Sequence, residues 1–157
     1  MTITHNLQHN RLLKILPEVD YDIISIHLEK VYVSFGENLY ELGNKSRYVY
    51  FPISCIISIL NITKDGVITE ITVIGNEGVV DIAFIFNNSI KYNQIVVQRA
   101  GCAYRISQKI LKQLIFQNKS LCCLFLRYLQ ILATQMTQTI ICNKYHSMYQ
   151  RLCYKLL

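Results

Sequence analysis

The sequence lacks the features that mark secreted, membrane-spanning and metal-binding proteins. Its first residues, MTITHNLQHN, contain no apolar run of the kind that a secretory signal needs. The most apolar stretch, LCCLFLRYLQILA, is interrupted by Arg127 and Gln130 and is too short to cross a bilayer. The six cysteines form no C-x-x-C motif and no cluster with histidine at zinc spacing. We therefore expect a cytoplasmic protein with reduced, buried thiols, no metal and no membrane partner.

The composition excludes a disordered chain and suggests a surface that meets a partner. The 157 residues are 52% hydrophobic and 17% charged, which is enough apolar material for one domain with a sizeable core. Such a chain is apolar for a protein that remains single, so part of its surface is expected to be covered. The net charge of +6 permits contact with nucleic acid, but it is too modest and too dispersed to require it.

Hydrophobic periodicity divides the chain into three blocks. The first, up to Leu28, is predicted to be helical, with Pro17 as a breaker and Asp20 as the cap of a second short helix. The middle block, 31–106, is predicted to be β structure, because its short segments are rich in β-branched and aromatic residues and are separated by turn signals. These segments are VYVSF, RYVYF, CIISIL, VITEITVI, NQIVVQ and CAYRI. Short strands at even spacing indicate a small antiparallel barrel or jelly roll.

The last block is predicted to be helical to the end of the chain. A helix capped by Ser107 comes first, and from Leu121 an apolar pattern of three- and four-residue steps continues to Leu157. A small barrel cannot cover both sides of so long a helix, so a second copy is expected to bury its apolar stripe in a short, imperfect coiled coil. The predicted interface residues are Phe125, Leu129, Leu132, Met136, Ile140, Tyr145, Met148 and Leu152.

Three stretches carry motifs of one regulator family. FGENLYELGNKSRYVYFPISCIISIL is similar to an opening β segment of the form G-E-x-L-Y-x-x-G and V-Y-F-P-x-S-G, with Cys55 in place of a glycine. TEITVIGNEGVVDI is similar to a strand and glycine turn that precede a ligand cassette, and CNKYHSMYQRLCYKLL is similar to the end of a dimer helix. Over nearly its whole length the chain thus resembles the sensor half of Crp/Fnr-type bacterial transcription regulators. The implied fold is α+β: an antiparallel β jelly roll of the cyclic-nucleotide-binding type (a double-stranded β-helix) with N-terminal helices and a long C-terminal dimerisation helix.

The resemblance also implies a division of the chain and a function. Residues 1–120 correspond to the sensor domain and 121–157 to the dimerisation helix, after which the family carries a winged helix-turn-helix that reads DNA. No capping glycine, proline or polar tail follows Leu157, so we expect that reader domain to be absent through natural truncation, gene interruption or artificial shortening. The implied function is ligand-responsive control of transcription by a homodimer, with DNA contacted only through a missing or partner domain.

The ligand cassette of the family is altered in this sequence. Members that bind cyclic nucleotides use a carboxylate for the ribose hydroxyl and an arginine fork for the phosphate. The corresponding run, VVDIAFIFNNSIKYN, places Val80 at a glycine, Asp81 at the glutamate, Lys91 at the arginine and Tyr92 at a serine. Because lysine lacks the fork and Tyr92 fills space that the phosphate needs, we predict no cofactor, with a cyclic nucleotide left as the open alternative. The candidate ligand residues are Val80, Asp81, Ile82, Lys91, Tyr92 and Thr137, the last at the family's base-contacting position.

Several alternatives remain open at the sequence level. Asp81 and Lys91 could form only a solvated pair at the mouth of the roll, or a different small molecule could occupy the same cavity. The chain could also be a degenerate remnant that acts by pairing with an intact Crp/Fnr homologue. A cupin-type metal enzyme is disfavoured, because the block 31–106 contains no histidine. Nucleic-acid binding by Lys144, Arg151 and Lys155 alone would be weak and lost at moderate salt.

Overall fold

The computed structural model describes residues 9–40, 47–82, 93–145 and 147–156. They form five helices and seven strands in a mixed arrangement that begins and ends with helices. The helices are α1 (Arg11–Lys14), α2 (Glu18–Ser25), α3 (Gln108–Gln117), α4 (Lys119–Tyr145) and α5 (Met148–Leu156). The strands are β1 (Glu29–Val33), β2 (Asn38–Tyr40), β3 (Tyr48–Pro52), β4 (Ile56–Ile62), β5 (Ile68–Ile74), β6 (Asn93–Arg99) and β7 (Gly101–Ser107).

The strands form two antiparallel sheets that face each other as a roll. One sheet has the order β1-β7-β3 and the other the order β2-β6-β4-β5. All six strand segments that the sequence predicts are confirmed within a few residues, and only the short β2 has no counterpart among them. The turn Lys64-Asp65-Gly66 lies between β4 and β5, which pair as a hairpin. Gly66 adopts a φ of +79° there, which an L side chain rarely tolerates. The jelly-roll prediction is thereby confirmed.

Two apolar cores lie on opposite sides of the sheet that contains β3. Val49 and Phe51 point toward the helices and pack with residues of α1, α3 and α4. Tyr50, between them in sequence, points into the roll and packs with residues of both sheets. Because both faces of β3 are buried, the strand reads as a continuous apolar run instead of an alternating one.

One buried asparagine fastens the N-terminal helix to the roll. The Oδ1 of Asn10 accepts hydrogen bonds from the backbone N–H groups of Leu12 and Leu13, each at 3.1 Å, and so caps α1. Its Nδ2 donates to the carbonyl oxygens of Pro52 at 2.8 Å and Gly78 at 3.0 Å. A single side chain therefore begins a helix and holds it against two segments of the roll.

We expect Asn10→Ala to lower the free energy of unfolding by about 3 kcal/mol, because it removes a helix cap and leaves two buried carbonyls without their donor. Asn10→Ser should lose less, since a hydroxyl still caps α1 although it is too short to reach Pro52. The matched control is Asn76→Ala, whose exposed side chain should contribute less than about 0.5 kcal/mol. Urea unfolding measures all three variants, and equal stability of Asn10→Ala and Asn76→Ala would contradict this role.

The predicted cap of the second helix is wrong. α2 begins at Glu18, directly after Pro17, and Asp20 lies within its first turn. The Asp20 carboxylate is buried and accepts a hydrogen bond from the Nδ2 of Asn118. Asn118 in turn caps α4, because its Oδ1 accepts from the N–H groups of Ser120 and Leu121. Asp20 thus joins the N-terminal helices to the start of the long helix.

The final helix is not continuous, which corrects a second prediction. α4 ends at Tyr145, and α5 begins at Met148. Between them, the N–H of Ser147 donates to the Oε1 of Gln150 at 2.9 Å, and the N–H of Gln150 donates to the Oγ of Ser147 at 3.3 Å. This reciprocal pair is a capping box, so S-M-Y-Q starts a new helix. The signal stands in the sequence, but the apolar periodicity that runs through it concealed the break.

Candidate functional site

The first half of the altered cassette pairs with the edge strand β3. Val80 pairs with Tyr50 of β3, and its N–H donates to the Tyr50 carbonyl at 2.8 Å. The Val80 side chain packs inside the roll, whereas Ile82 packs on the helix side. Lys91 and Tyr92, the other cassette residues that the sequence predicts, lie outside the described residues.

Asp81 is held by the protein itself, so the expectation of a solvated side chain is wrong. Its residue exposure is 7%, and its Oδ2 accepts a hydrogen bond from the Nε2 of Gln108 at 2.6 Å. Asp81 also has a φ of +71° and is the one described non-glycine residue with a positive φ. Aspartate tolerates this left-handed conformation better than most residues do. The carboxylate therefore lies within the fold at the position that the resemblance assigns to a ligand.

We expect Asp81→Gly to be more stable than Asp81→Ala by about 1 kcal/mol, because glycine adopts a positive φ without strain. Both variants lose the bond from Gln108, so their difference isolates the backbone conformation. At a position with negative φ the order would be reversed, since glycine has more conformational freedom in the unfolded chain. Urea unfolding of the two variants measures the difference. A more stable alanine variant would rule out the left-handed conformation.

A cluster around Arg105, which sequence reasoning missed, lies beside this segment. Arg105 of β7 pairs in register with Glu29 of β1 and Tyr50 of β3. Its Nε donates to the Oε2 of Glu29 at 2.8 Å, and its guanidinium lies 4.4 Å from the centre of the Tyr48 ring. The hydrogen bond with Glu29 raises the pKa of Arg105. Burial raises the pKa of Tyr50, and a hydrogen bond with Arg105 opposes that shift.

The Arg105 cluster places a permanent positive charge next to the cassette. Arg105 shares the inward face of β7 with Ala103, which belongs to the core inside the roll. Glu29 neutralises the charge of Arg105. An anionic ligand beside Arg105 would therefore have to compete with an existing ion pair. The sequence could not single out Arg105. Its neighbours Tyr104 and Ile106 are core residues on the other face of β7, so the strand shows no clear polar face to which Arg105 could be assigned.

Thr137, the predicted base-contacting residue, lies on an exposed part of α4. Its Oγ1 donates to the carbonyl oxygen of Ala133 at 2.9 Å, within the same helix. Ile140 and Leu126, which are 64% and 52% exposed, lie on the same face as Ala133 at seven-residue steps. This exposed stripe of α4 is made of Leu126, Ala133, Thr137 and Ile140.

The predicted dimer residues divide between the core and the surface. Phe125 is only 2% exposed and packs in the chain's own core, so its assignment to an interface is wrong. Leu129 and Leu132 are half-buried against that same core, and Met136 is also half-buried. The remaining four predicted residues, Ile140, Tyr145, Met148 and Leu152, are exposed. The periodicity was read correctly, but one helix carries two apolar stripes, and the first three turns of α4 face the roll.

The described part of the chain has neither a helix suited to a membrane nor a cluster of metal ligands. None of its helices combines the length and apolar character that crossing a membrane requires. No group of three or more histidine, cysteine, aspartate or glutamate side chains among those residues could hold a metal ion. The side chains of Arg151 and Lys155, which the sequence places in a basic tail, lie outside the described residues.

No family model matches the sequence, and no curated protein matches it. Solved structures do match. The sensor domain of the transcriptional regulator DNR from Pseudomonas aeruginosa is 20% identical, with 90% of this chain and 92% of that chain covered and a TM-score of 0.63. A putative Crp/Fnr-family regulator from Eubacterium rectale is 12% identical over 95% of this chain and 70% of that chain, with a TM-score of 0.79. The regulatory domain of Toxoplasma gondii PKA, crystallised with cAMP, is 14% identical over 69% of this chain and 41% of that chain, with a TM-score of 0.58. The chain therefore has the fold of cyclic-nucleotide-binding-like sensor domains, as the sequence motifs imply.

Proposed function

We propose that this chain is the sensor and dimerisation portion of a Crp/Fnr-type transcription regulator, and that two copies pair through α4. The exposed stripe of α4 is the observation that carries the proposal. The core-facing side of the helix already packs on the roll through Leu121, Phe125 and Tyr128. Leu126 and Ile140 lie on another side and stay uncovered in a single chain. A second copy of the stripe would cover them. Each Å² of apolar surface removed from water would stabilise the dimer by roughly 25 cal/mol.

Light scattering at micromolar concentration tests the pairing. The proposal requires a particle of twice the mass of one chain. A particle with the mass of one chain at every concentration would refute the proposal. The exposed stripe would then stay in water, because no other described part of the fold covers it.

Pairing through the seam predicted from periodicity fits the structure less well. Its centre, Phe125 and Leu132, lies against the roll, and Leu129 and Met136 stand at the border between the core and the exposed stripe. We therefore propose Leu126, Ala133, Thr137 and Ile140 as the centre of the interface, continued by Tyr145 and by Met148 and Leu152 of α5.

On the ligand side, we propose that the chain does not hold a cyclic nucleotide by the family's inherited contacts. The support is the state of Asp81, whose carboxylate is bonded to Gln108 and is buried in the fold. Using it to bind a ribose hydroxyl would require that bond to break, and a buried amide would lose its acceptor.

Calorimetric titration with cAMP and with cGMP checks this. No heat of binding is expected at up to millimolar nucleotide. Micromolar binding that Lys91→Ala abolishes would contradict the proposal and restore the inherited site, whereas Lys112→Ala serves as the matched lysine control on α3.

A regulator of this class acts on DNA through a reader domain, which we propose lies outside residues 1–157 or belongs to a partner. The alternative is pairing with an intact homologue, which would give a dimer with one DNA-reading arm and weaken the partner's binding. Co-expression with such a homologue tests the alternative. A mixed dimer recovered by affinity capture supports it, and exclusive recovery of the two homodimers refutes it.

A further inference from the structure

A cavity lies on the outside of the roll. It has a volume of about 400 Å³ and is enclosed by α1, β5 and α4. This volume falls within the range of about 300–1,000 Å³ that is usual for small-molecule sites. None of Val80, Asp81, Ile82 or Thr137 lines it. The cavity is therefore distinct from the described part of the ligand position that the sequence motifs imply.

Part of the lining of this outer cavity is apolar and exposed. Ile15 at the end of α1, Val73 of β5 and Ile131 of α4 line it and are 64%, 39% and 56% exposed, respectively. Three large apolar side chains from different parts of the fold therefore line one cavity, and each stays partly exposed to solvent. An apolar group placed among them would remove that surface from water.

Two exposed arginines also line the cavity. They are Arg11 of α1 and Arg127 of α4. Neither takes part in an ion pair or a side-chain hydrogen bond with any residue in the described ranges. The acidic side chain among the lining residues, Glu77, accepts the N–H of Gly75 at 2.9 Å within its own turn. Arg127 also interrupts the most apolar stretch of the sequence.

From this arrangement we propose that the outer cavity binds a small organic anion with an apolar body, such as an aromatic carboxylate. The apolar body lies on Ile15, Val73 and Ile131, and the carboxylate accepts from the guanidinium groups of the two arginines. An arginine fork matches the two oxygens of a carboxylate, which a single lysine could not do.

Pairing through the exposed stripe would leave this cavity open. At about 100° per residue, Leu124, Ile131 and Gln135 lie on roughly the opposite side of α4 from Ala133 and Ile140. A dimer and a bound anion are therefore compatible.

The cavity wall is joined to the segment that leads into Asp81. Tyr128 lines the cavity, and its hydroxyl accepts from the Val79 N–H and donates to the Val79 carbonyl, both at 3.1 Å. Burial raises the pKa of Tyr128 to about 12, so the hydroxyl keeps its proton at physiological pH. A ligand on α4 would therefore act on both the cassette segment and the pairing helix. This regulatory consequence rests on the proposed function, whereas the binding site does not.

The test uses 2-naphthoate and its neutral analogue 2-naphthamide. The sequence contains no tryptophan, so naphthalene fluorescence excited beyond the tyrosine absorption reports the probe alone. We expect 2-naphthoate to bind at least tenfold more tightly than 2-naphthamide. Arg127→Gln and Arg11→Gln should each weaken 2-naphthoate about tenfold, the equivalent of about 1.4 kcal/mol. Arg99→Gln, an exposed arginine on β6 that is remote from the cavity, should leave binding unchanged.

Three results would each overturn the site: no binding of 2-naphthoate at millimolar concentration, equal affinity for the two probes, or affinity unaffected by both arginine variants. Circular dichroism of the variants confirms that they are folded. Light scattering of the same samples separates this proposal from the previous one. A dimer that does not bind 2-naphthoate refutes the cavity alone, and a single chain that binds it refutes the proposed pairing alone.

Discussion

Replacing Ile140 with glutamate is expected to convert a paired protein into single chains. Ile140 is 64% exposed in one chain and belongs to the stripe that we propose as the centre of the interface. In a two-fold dimer the change occurs twice and places two like charges in an apolar seam. The loss of two buried isoleucines alone comes to about 4 kcal/mol, or roughly a thousandfold in the dissociation constant. Sedimentation equilibrium of the two proteins measures that shift.

The matched control is Val67→Glu, at the β4–β5 hairpin. Val67 is 58% exposed and apolar, but it is far along the chain and in another element. It should leave the mass of the particle unchanged, so a general effect of added charge can be separated from loss of the interface. Phe125→Ala gives the complementary readout, since it should lower stability through the chain's own core. An unchanged dimer in Ile140→Glu would place the interface elsewhere.

Gly78→Ala is expected to lower the free energy of unfolding by about 3 kcal/mol. A Cβ at this position would lie 2.3 Å from the hydroxyl oxygen of Tyr128 and 3.0 Å from the Cγ2 of Ile74. Tyr128 cannot move aside without losing both hydrogen bonds to Val79, and overpacking of a core costs about 1–3 kcal/mol by itself. Chemical unfolding monitored by circular dichroism measures the loss.

Gly75→Ala, in the same turn, is the matched control for Gly78→Ala. Its Cβ would meet only the end of the Glu77 side chain, which is exposed and can turn away, so the loss should stay below about 1 kcal/mol. In the double variant Gly78→Ala/Tyr128→Phe, the nearest clashing atom is gone, so its loss should be smaller than the sum of the two single losses. Strict additivity would show that the clash is not with the hydroxyl.

The sequence was sufficient for six of the seven described strands of the roll. The strands from Val49 to Ile106 are marked by β-branched and aromatic runs between turn signals, and these are local preferences that need no tertiary context. The same holds for the break at Asn118 and for the capping box at Ser147 and Gln150, although the latter was overlooked. Motif resemblance then supplied the way in which the strands are combined, which local preference alone leaves open.

Only the tertiary structure shows which face of each helix or strand packs in a core and which face is exposed to solvent. Periodicity shows that α4 is apolar on more than one side, but it cannot distinguish Phe125, which packs on its own roll, from Ile140, which is exposed. Likewise, the carboxylate of Asp81 could be read as solvated until Gln108, 27 positions later, was seen to donate to it. The outer cavity between Arg11 and Arg127 was equally invisible, because it joins residues more than a hundred positions apart. Local sequence fixes backbone preference and polarity, whereas burial and charge pairing depend on distant residues that only the folded chain brings together.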